Sequence, residues 1–343
     1  MIGIGLIGYG YWGPQLARNF SSLGSARLLA ICDAQAARRA LAAQQHPAVQ
    51  VVSDVAALLS DESISAVVIA TPVSTHFELA RACLAAGRHV LVEKPLAASS
   101  AQADTLCAMA HQHGLVLLVD HTFLYSSAVQ QIKATLDAGG LGEVHYFDSV
   151  RTNLGRFRSD VDVIWDLASH DLAIMQHLFA DAPDTIQATG FAREAGQPLE
   201  LAYLTLRWGQ RRIAHIHVSW LTPIKVRRTM VGGARGMLLW DDIDPDTKIR
   251  IYAVGPDDGP TGGANADAEQ LRISFRRGDM HAPWLPIAEP LRTLAEHFVA
   301  CVADGCVPRS GGASGAQVLR WLEAARVSLE GGGVPVTLLP ASS

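Results

Sequence analysis

"GLIGYGYWG" occupies positions 5–13 and closes a short apolar run that begins at Ile2. Gly8, Gly10 and Gly13 have G-x-G-x-x-G spacing between a strand-like segment, "IGIGLIG", and a helix-like one, "YWGPQLARNFSSLG". Spacing alone is weak, because any tight turn favours glycine. The context is what decides. The next strand-like run, "ARLLAICD", ends in Asp33, twenty positions after Gly13. A first glycine for the turn, a second for close backbone approach to a pyrophosphate, a third for helix–strand packing and a carboxylate for the ribose hydroxyls make a dinucleotide fingerprint. Tyr11 and Trp12 lie inside this turn and are counted among its cofactor contacts. The charge of Asp33 repels a 2′-phosphate, so NAD is favoured over NADP.

The pattern continues outward. Short β-branched runs ("VQVV", "ISAVVIATP", "HVLVEKP", "LVLLVD") alternate with helical stretches ("DVAALLS", "STHFELARACLAAG", "SSAQADTLCAMAHQHG") as far as Asp120. Asp54 is placed to cap one helix, and Thr75 with Glu78 to form a capping box on another. Such alternation predicts a parallel sheet covered by helices on both faces. Beyond it the rhythm changes. A helix near 127–138 is followed by "EVHYFDSVRT", a loop, the helix "VIWDLASHDLAIMQHLFA", and then strands in series from "DTIQATGFA" to "KIRIYAV". Serial strands predict a mainly antiparallel open sheet in a second, α+β domain. The Gly-, Pro- and Asp-rich stretch 255–265 reads as a loop, and two helices close the chain. The expected division is 1–121 and 122–343, with the closing helices free to pack back on the first domain. A length of 343 residues agrees with two domains.

Composition excludes some classes. A net charge of −5 gives nucleic acid no electrostatic footing. No apolar run is long enough to span a membrane. No basic segment precedes the first apolar run, so a cytoplasmic protein is expected. The odd, scattered set Cys32, Cys83, Cys107, Cys301 and Cys306 reads as reduced thiols. No zinc-like Cys or His spacing joins them, and no metal is expected.

Two groups stand out for chemistry. Lys94, in "EKP", follows a parallel strand at the end where open α/β sheets bind ligands. Next to a nicotinamide cation its pKa would fall from about 10.4, allowing it to hydrogen-bond a reacting hydroxyl. Asp166 and His170, in "WDLASHD", are four apart on a helical stretch and share a face, so the carboxylate could orient the imidazole. Arg151, Asn153, Phe157 and Trp165 lie near this helix in sequence and are candidate substrate contacts. His215 and His217 alternate on one strand face without a third ligand and read as sheet residues. Arg227, Arg228, Arg276 and Arg277 read as solvated strand-end charges.

Taken together, "GYGYWG", "ATPVSTH", "EKP" and "DLASHD", with the tail "HFVACVADG…AQVLRWLEAARVSL", resemble the Gfo/Idh/MocA oxidoreductases over nearly the whole chain. "DHTFLYSSAV", "VRTNLGRF" and "VIWDLASHDL" look similar to a bacterial subgroup of sugar-nucleotide enzymes, the UDP-N-acetylhexosamine or uronate 3-dehydrogenases. The resemblance implies an N-terminal Rossmann domain, a second domain whose open sheet packs in homodimers or homotetramers, and hydride transfer between a sugar carbon and nicotinamide. It places Lys94, Asp166 and His170 on catalytic positions, and Thr71, Pro72, His76 and Glu93 around the nicotinamide and its ribose. The family often carries an Asn- or Arg-containing motif after the last Rossmann strand. Here "DHTFLYSS" stands in its place, and His121 and Tyr125 are the candidate replacements. The expected substrate is a sugar, favouring a nucleotide sugar. The alternatives are a free-sugar or inositol dehydrogenase, a glycoside-cleaving enzyme that retains NAD, and a non-catalytic dinucleotide sensor.

Overall fold

The computed structural model describes residues 1–155, 161–194, 196–256 and 275–338. In the first part, β1 (Ile2–Ile7), α1 (Gly13–Ser21), β2 (Ala26–Cys32), α2 (Ala36–Gln45), β3 (Gln50–Val52) and α3 (Val55–Leu59) come first. They are followed by β4 (Ala66–Ile69), α4 (Val73–Ala85), β5 (His89–Glu93), α5 (Ser100–Gln112) and β6 (Leu117–Asp120). The six strands pair in the order β3-β2-β1-β4-β5-β6, all parallel. Every residue of β4 is buried, as its unbroken apolar run predicts for a strand covered on both faces. The order reverses direction between β1 and β4. The crevice at that switch point opens at the carboxyl ends of the strands, where the glycine turn lies.

The helix starts follow local chemistry. The Asp54 side chain accepts the Ala56 N–H, and Ser99 accepts the Gln102 N–H. The capping box at Thr75 and Glu78 does not form. Helix α4 begins at Val73 after Pro72, so Thr75 already lies inside it, where its hydroxyl donates to Thr71 Oγ1 and Pro72 O. Glu78 pairs with Arg81 instead.

A 3-10 turn (Thr122–Tyr125), α6 (Ser127–Asp137) and β7 (Val144–Leu154) open the second part. A π-helical turn (Ile164–Ala168) runs into α7 (Ser169–Leu178). Strands follow: β8 (Thr185–Phe191), β9 (Leu201–Trp208), β10 (Arg212–Ser219), β11 (Leu221–Gly233), β12 (Gly236–Asp241), β13 (Ile249–Pro256) and β14 (Phe275–His281). The chain closes with α8 (Pro290–Asp304), α9 (Gly312–Glu330) and β15 (Val336–Thr337). The nine strands pair as β14-β13-β12-β11-β7-β10-β9-β8-β15. Pairing is antiparallel except between β7 and β10. Gly255 and Pro256 of the stretch read as a loop belong to β13, and 257–265 lie outside the described residues.

Strand β9 alternates buried with more exposed residues, so one face of this sheet is covered and the other is not. Helix α9 packs on β8, α7, α5 and β6, while α8 packs on α1, β1 and the 3-10 turn. The closing helices therefore bind both sheets together. On the other face of the second sheet, Tyr203 stacks on His217 and His215, with ring centroids 4.5 and 5.8 Å apart. Those two histidines are sheet residues, as expected.

His76 clips together the loops that leave β4 and β5. It is 1% exposed, with Nε2 2.9 Å from Thr71 O and Nδ1 2.8 Å from Pro95 O. Burial holds its pKa below the ordinary value, so the neutral ring donates one of these bonds. Exchanging His76 for Ala removes that bond and opens a void between the two loops. We expect a loss of roughly 2–4 kcal/mol in urea unfolding. A loss under about 0.5 kcal/mol, the range of ordinary surface substitutions, would show that the loops hold without the clip.

Candidate active site

The glycine turn is shaped for close backbone approach. Gly8 has φ +96°, and a Cβ there would lie 2.5 Å from Ala70 O. A Cβ on Gly13 would lie 2.5 Å from Gly8 O, so a side chain there would prise the helix start away from the strand. Asp33 sits at the tip of β2, and its carboxylate accepts N–H groups from Tyr9 (2.7 Å) and Gln35 (2.8 Å). Arg38 and Arg39 turn to backbone carbonyls, Arg38 to Tyr9 O and Arg39 to Asp33 O and Ala34 O. Tyr11 and Trp12 pack edge to face, 5.3 Å apart, and both are exposed at the mouth. This turn, helix start and fixed carboxylate fit a dinucleotide.

Lys94 follows β5, and its Nζ reaches across to the π-helical turn. It donates to Asp166 O (2.7 Å) and to Asp166 Oδ1 (3.3 Å). The other oxygen of that carboxylate accepts Trp220 Nε1–H at 3.2 Å. Asp166 thus faces Lys94 and Trp220, and the expected Asp166–His170 pair is corrected. The π-helical turn changes the residue spacing, so positions four apart no longer stack as they do on an α-helix. His170 makes no hydrogen bond among the described residues, and its Nδ1 is buried. Its ring stands edge-on to Phe123 at 5.0 Å. Burial, then the charges of Lys94, Arg151, His121 and Arg227, push its pKa well below the ordinary value. His170 is therefore a neutral base at pH 7.

Under this site lie two carboxyl groups. Glu93 and Asp120 face each other across the β5–β6 ladder, both buried. Burial and the Asp120 charge raise Glu93 well above its usual range, and burial raises Asp120 too. Both carboxyls are therefore biased toward the protonated form. Glu93 also accepts the Lys94 N–H at 3.2 Å. Next to Asp120, His121 is buried, and neither ring nitrogen has a partner among the described residues. Burial, then the charge of Lys94, hold its pKa at about 3.

The other candidates divide. Arg151 is committed to Asp171 through a two-point ion pair at 2.9 and 3.1 Å, and both side chains are buried. Its guanidinium lies over Phe123 at 4.4 Å, and Nη1 has no partner among the described residues. Tyr125 is turned away, with its hydroxyl 3.0 Å from Ser310 Oγ and 2% exposed. Thr71 and Pro72 flank the His76 clip. Asn153 lies partly buried on β7, and Trp165 packs against the core beside the turn. Phe157 lies outside the described residues, as do the side chains of Arg276 and Arg277.

Reading the sequence missed Phe123, Asp120, Asp171 and Trp220, and discounted Arg227. Arg228 is a solvated charge paired with Asp241, as expected, but it lies midway along β11 and not at a strand end. Arg227 is not a solvated charge. It is half-buried, pairs with Asp242 at 3.3 Å and lies 5.4 Å from the Phe123 ring. Phe123 is inside the quoted "DHTFLYSS", and that motif was the one available signal.

A turn that fits a dinucleotide stands with a lysine, a neutral histidine and two buried carboxyls, residue types that hydride transfer with proton removal calls for. Residues 2–121 match the model of the oxidoreductase family with an NAD-binding Rossmann fold, and 129–239 match the GFO/IDH/MocA C-terminal domain. The chain belongs to the Gfo/Idh/MocA family. The oxidoreductase YdgJ of Escherichia coli is 33% identical over 256 residues, 71% of this chain and 72% of its own. UDP-N-acetylglucosamine 3-dehydrogenase of Acidithiobacillus ferrooxidans is 31% identical over 229 residues, 66% of this chain and 70% of its own. A solved structure of that dehydrogenase superposes with TM-score 0.81 at 27% identity, covering 96% of this chain and 99% of the other. Other relatives are named scyllo-inositol 2-dehydrogenase (Bacillus subtilis, 24% identical over 82% of this chain and 81% of its own) and D-apiose dehydrogenase (Paraburkholderia graminis, 25% over 95% and 87%), and this protein is an NAD-binding oxidoreductase. Among the described residues no helix is long and apolar enough to cross a membrane.

NMR titration of the His170 ring tests the electrostatic assignment. Its midpoint is expected below pH 6.5, and it should rise in Arg227→Gln, which removes one of the charges opposing protonation. A midpoint at or above 6.5 in the native protein would contradict the assignment.

Proposed function

We propose that this protein oxidises a secondary hydroxyl of a nucleotide sugar, with NAD as hydride acceptor. The observation that carries the reading is the convergence of Lys94 and neutral His170 at the carboxyl end of β5, beside the dinucleotide turn. When bound, NAD supplies the acceptor for the hydride. His170 takes the hydroxyl proton, because its neutral ring has a lone pair available at pH 7. Lys94 is held by both oxygen types of Asp166, which aims its ammonium and leaves one N–H for a substrate. It hydrogen-bonds the same substrate oxygen and stabilises the charge that develops as the proton leaves. Asp166 acts here as a positioning residue for Lys94, and Trp220 fixes the carboxylate in turn.

The cationic surroundings favour an anionic substrate group such as a diphosphate or a uronate carboxylate. Arg227, only half-buried, is the residue we assign to it, with the buried Arg151–Asp171 pair as a further charged pair of the site. The 31% identity to a UDP-N-acetylglucosamine 3-dehydrogenase supports the same class. Domain limits at 1–121 and 122–343, and contact between copies through the uncovered face of the second sheet, belong to this reading. So does a cytoplasmic location.

The test is absorbance at the reduced-nicotinamide wavelength, with NAD and a panel of UDP-sugars, free sugars and inositols. Turnover is expected with a UDP-sugar, and turnover confined to inositols or free sugars would overturn the substrate class. Lys94→Met should lower kcat by about 10²–10⁴-fold while NAD still binds. Near-native turnover in that variant would remove Lys94 from the mechanism.

A further inference from the structure

Cys301 and Cys306 were read as two scattered thiols, but the fold brings them together. Helix α8 ends at Asp304, and Gly305 follows with φ +69°. Its N–H donates to Cys301 O at 3.1 Å, an αL turn that folds the chain back over the last helical turn. Cys306 Sγ thereby comes to 2.9 Å from Cys301 Sγ. Cys301 is buried and Cys306 partly exposed. One turn earlier on α8, His297 places Nε2 at 3.5 Å from Cys301 Sγ.

The three donor atoms lie within 4.8 Å of one another, so a metal site is one reading. Two observations oppose it. The Arg309 N–H already donates to His297 Nε2 at 3.0 Å, occupying the lone pair a metal would need. Two thiolates on a tetrahedral zinc, each at about 2.3 Å, would stand about 3.8 Å apart, wider than this pair.

We propose that Cys301 and Cys306 are a reversible thiol–disulfide pair, oxidised by hydrogen peroxide, that acts on the segment carrying His121. The partly exposed Cys306 is the attacking sulfur. Its thiolate attacks a peroxide oxygen, the O–O bond breaks, and the second oxygen leaves as water after taking a proton. Cys301 sulfur then attacks Cys306 Sγ of the resulting sulfenic acid. The S–O bond breaks, and the oxygen leaves as water with the Cys301 proton. Two thiols are oxidised to one disulfide, and the peroxide is reduced to two waters. Burial, then the contact with Cys306, push the Cys301 thiol up to about 12, so it stays protonated and is not the sulfur that meets the peroxide. The closed ring is short, so the bond adds little chain-entropy stabilisation and suits a switch more than a staple.

The link to the site runs through Ser310. Its hydroxyl donates to Val119 O at 2.7 Å, its carbonyl accepts the Val119 N–H at 2.8 Å, and the Tyr125 hydroxyl lies 3.0 Å from its oxygen. Val119 immediately precedes Asp120 and His121. Closing the ring 301–306 changes the turn that delivers Ser310 to this segment.

The experiment treats the full chain with hydrogen peroxide, alkylates it, digests it, and maps the peptides by mass. The expected product has Cys301 and Cys306 joined with two hydrogens lost, both protected from alkylation, and restored by dithiothreitol. Cys306→Ser, at a partly exposed position, should abolish the crosslink and leave the unoxidised fold intact. Hydrogen exchange at the Val119 amide should differ between the reduced and oxidised forms. Both thiols remaining alkylatable after peroxide would overturn the proposal. So would protection of both by zinc alone, with no hydrogens lost. A crosslink with unchanged Val119 exchange would overturn the coupling to the site.

Discussion

After burial, the ammonium of Lys94 is the charge that recurs in the shifts of Glu93, Asp120, His121 and His170. It is 13% exposed and is held by the carbonyl and carboxylate of Asp166, itself 21% exposed. The bond spans from the tip of β5 to the π-helical turn, so it ties the two sheets at the point where their functional groups meet. Its positive charge lowers the pKa of His170 and of His121, and opposes the upward shift of Glu93 and Asp120. A charge buried this far needs its partner. Removing the Asp166 carboxylate would leave the ammonium half-desolvated with only a carbonyl.

Much of the first sheet was legible because its signals are local. Glycine spacing, the acidic residue at the end of β2 and apolar runs of strand length each report on a few adjacent residues. Six parallel strands with one switch point follow from them. The second sheet was legible as a series of strands, but not in its order. The parallel pairing of β7 with β10 joins residues about 70 positions apart, and nothing in either strand's alternation specifies that partner.

The candidate site was legible as residue types and not as a network. Lys94, Asp166 and His170 were picked out by type and position. The Asp166–His170 pairing came from α-helical spacing, and the π-helical turn invalidates that spacing. Arg227 looked like a surface charge because strand alternation gives its face but not what stands opposite. Phe123 stands opposite, carrying Arg151 at 4.4 Å and Arg227 at 5.4 Å on its ring and His170 against its edge. One aromatic thus collects two cations and an imidazole from three elements. The Cys301–Cys306 contact depended on Gly305 being left-handed, and a spacing rule for metal ligands does not detect that.

The field of this cluster also bears on which substrate the site suits. Each cation has a carboxylate partner: Lys94 with Asp166, Arg151 with Asp171, Arg227 with Asp242. The ion pairs let three positive side chains stand together, and all three charges still act against protonation of His170. A proton arriving on His170 is therefore opposed. With a neutral substrate, oxidation would load a weak base, and the reverse step, ketone reduction, would be favoured by a strongly acidic imidazolium. A substrate anion near Arg227 offsets part of that field and raises the His170 pKa in the complex toward neutrality. Such a substrate makes hydroxyl oxidation easier in the complex than the free protein's electrostatics alone would allow.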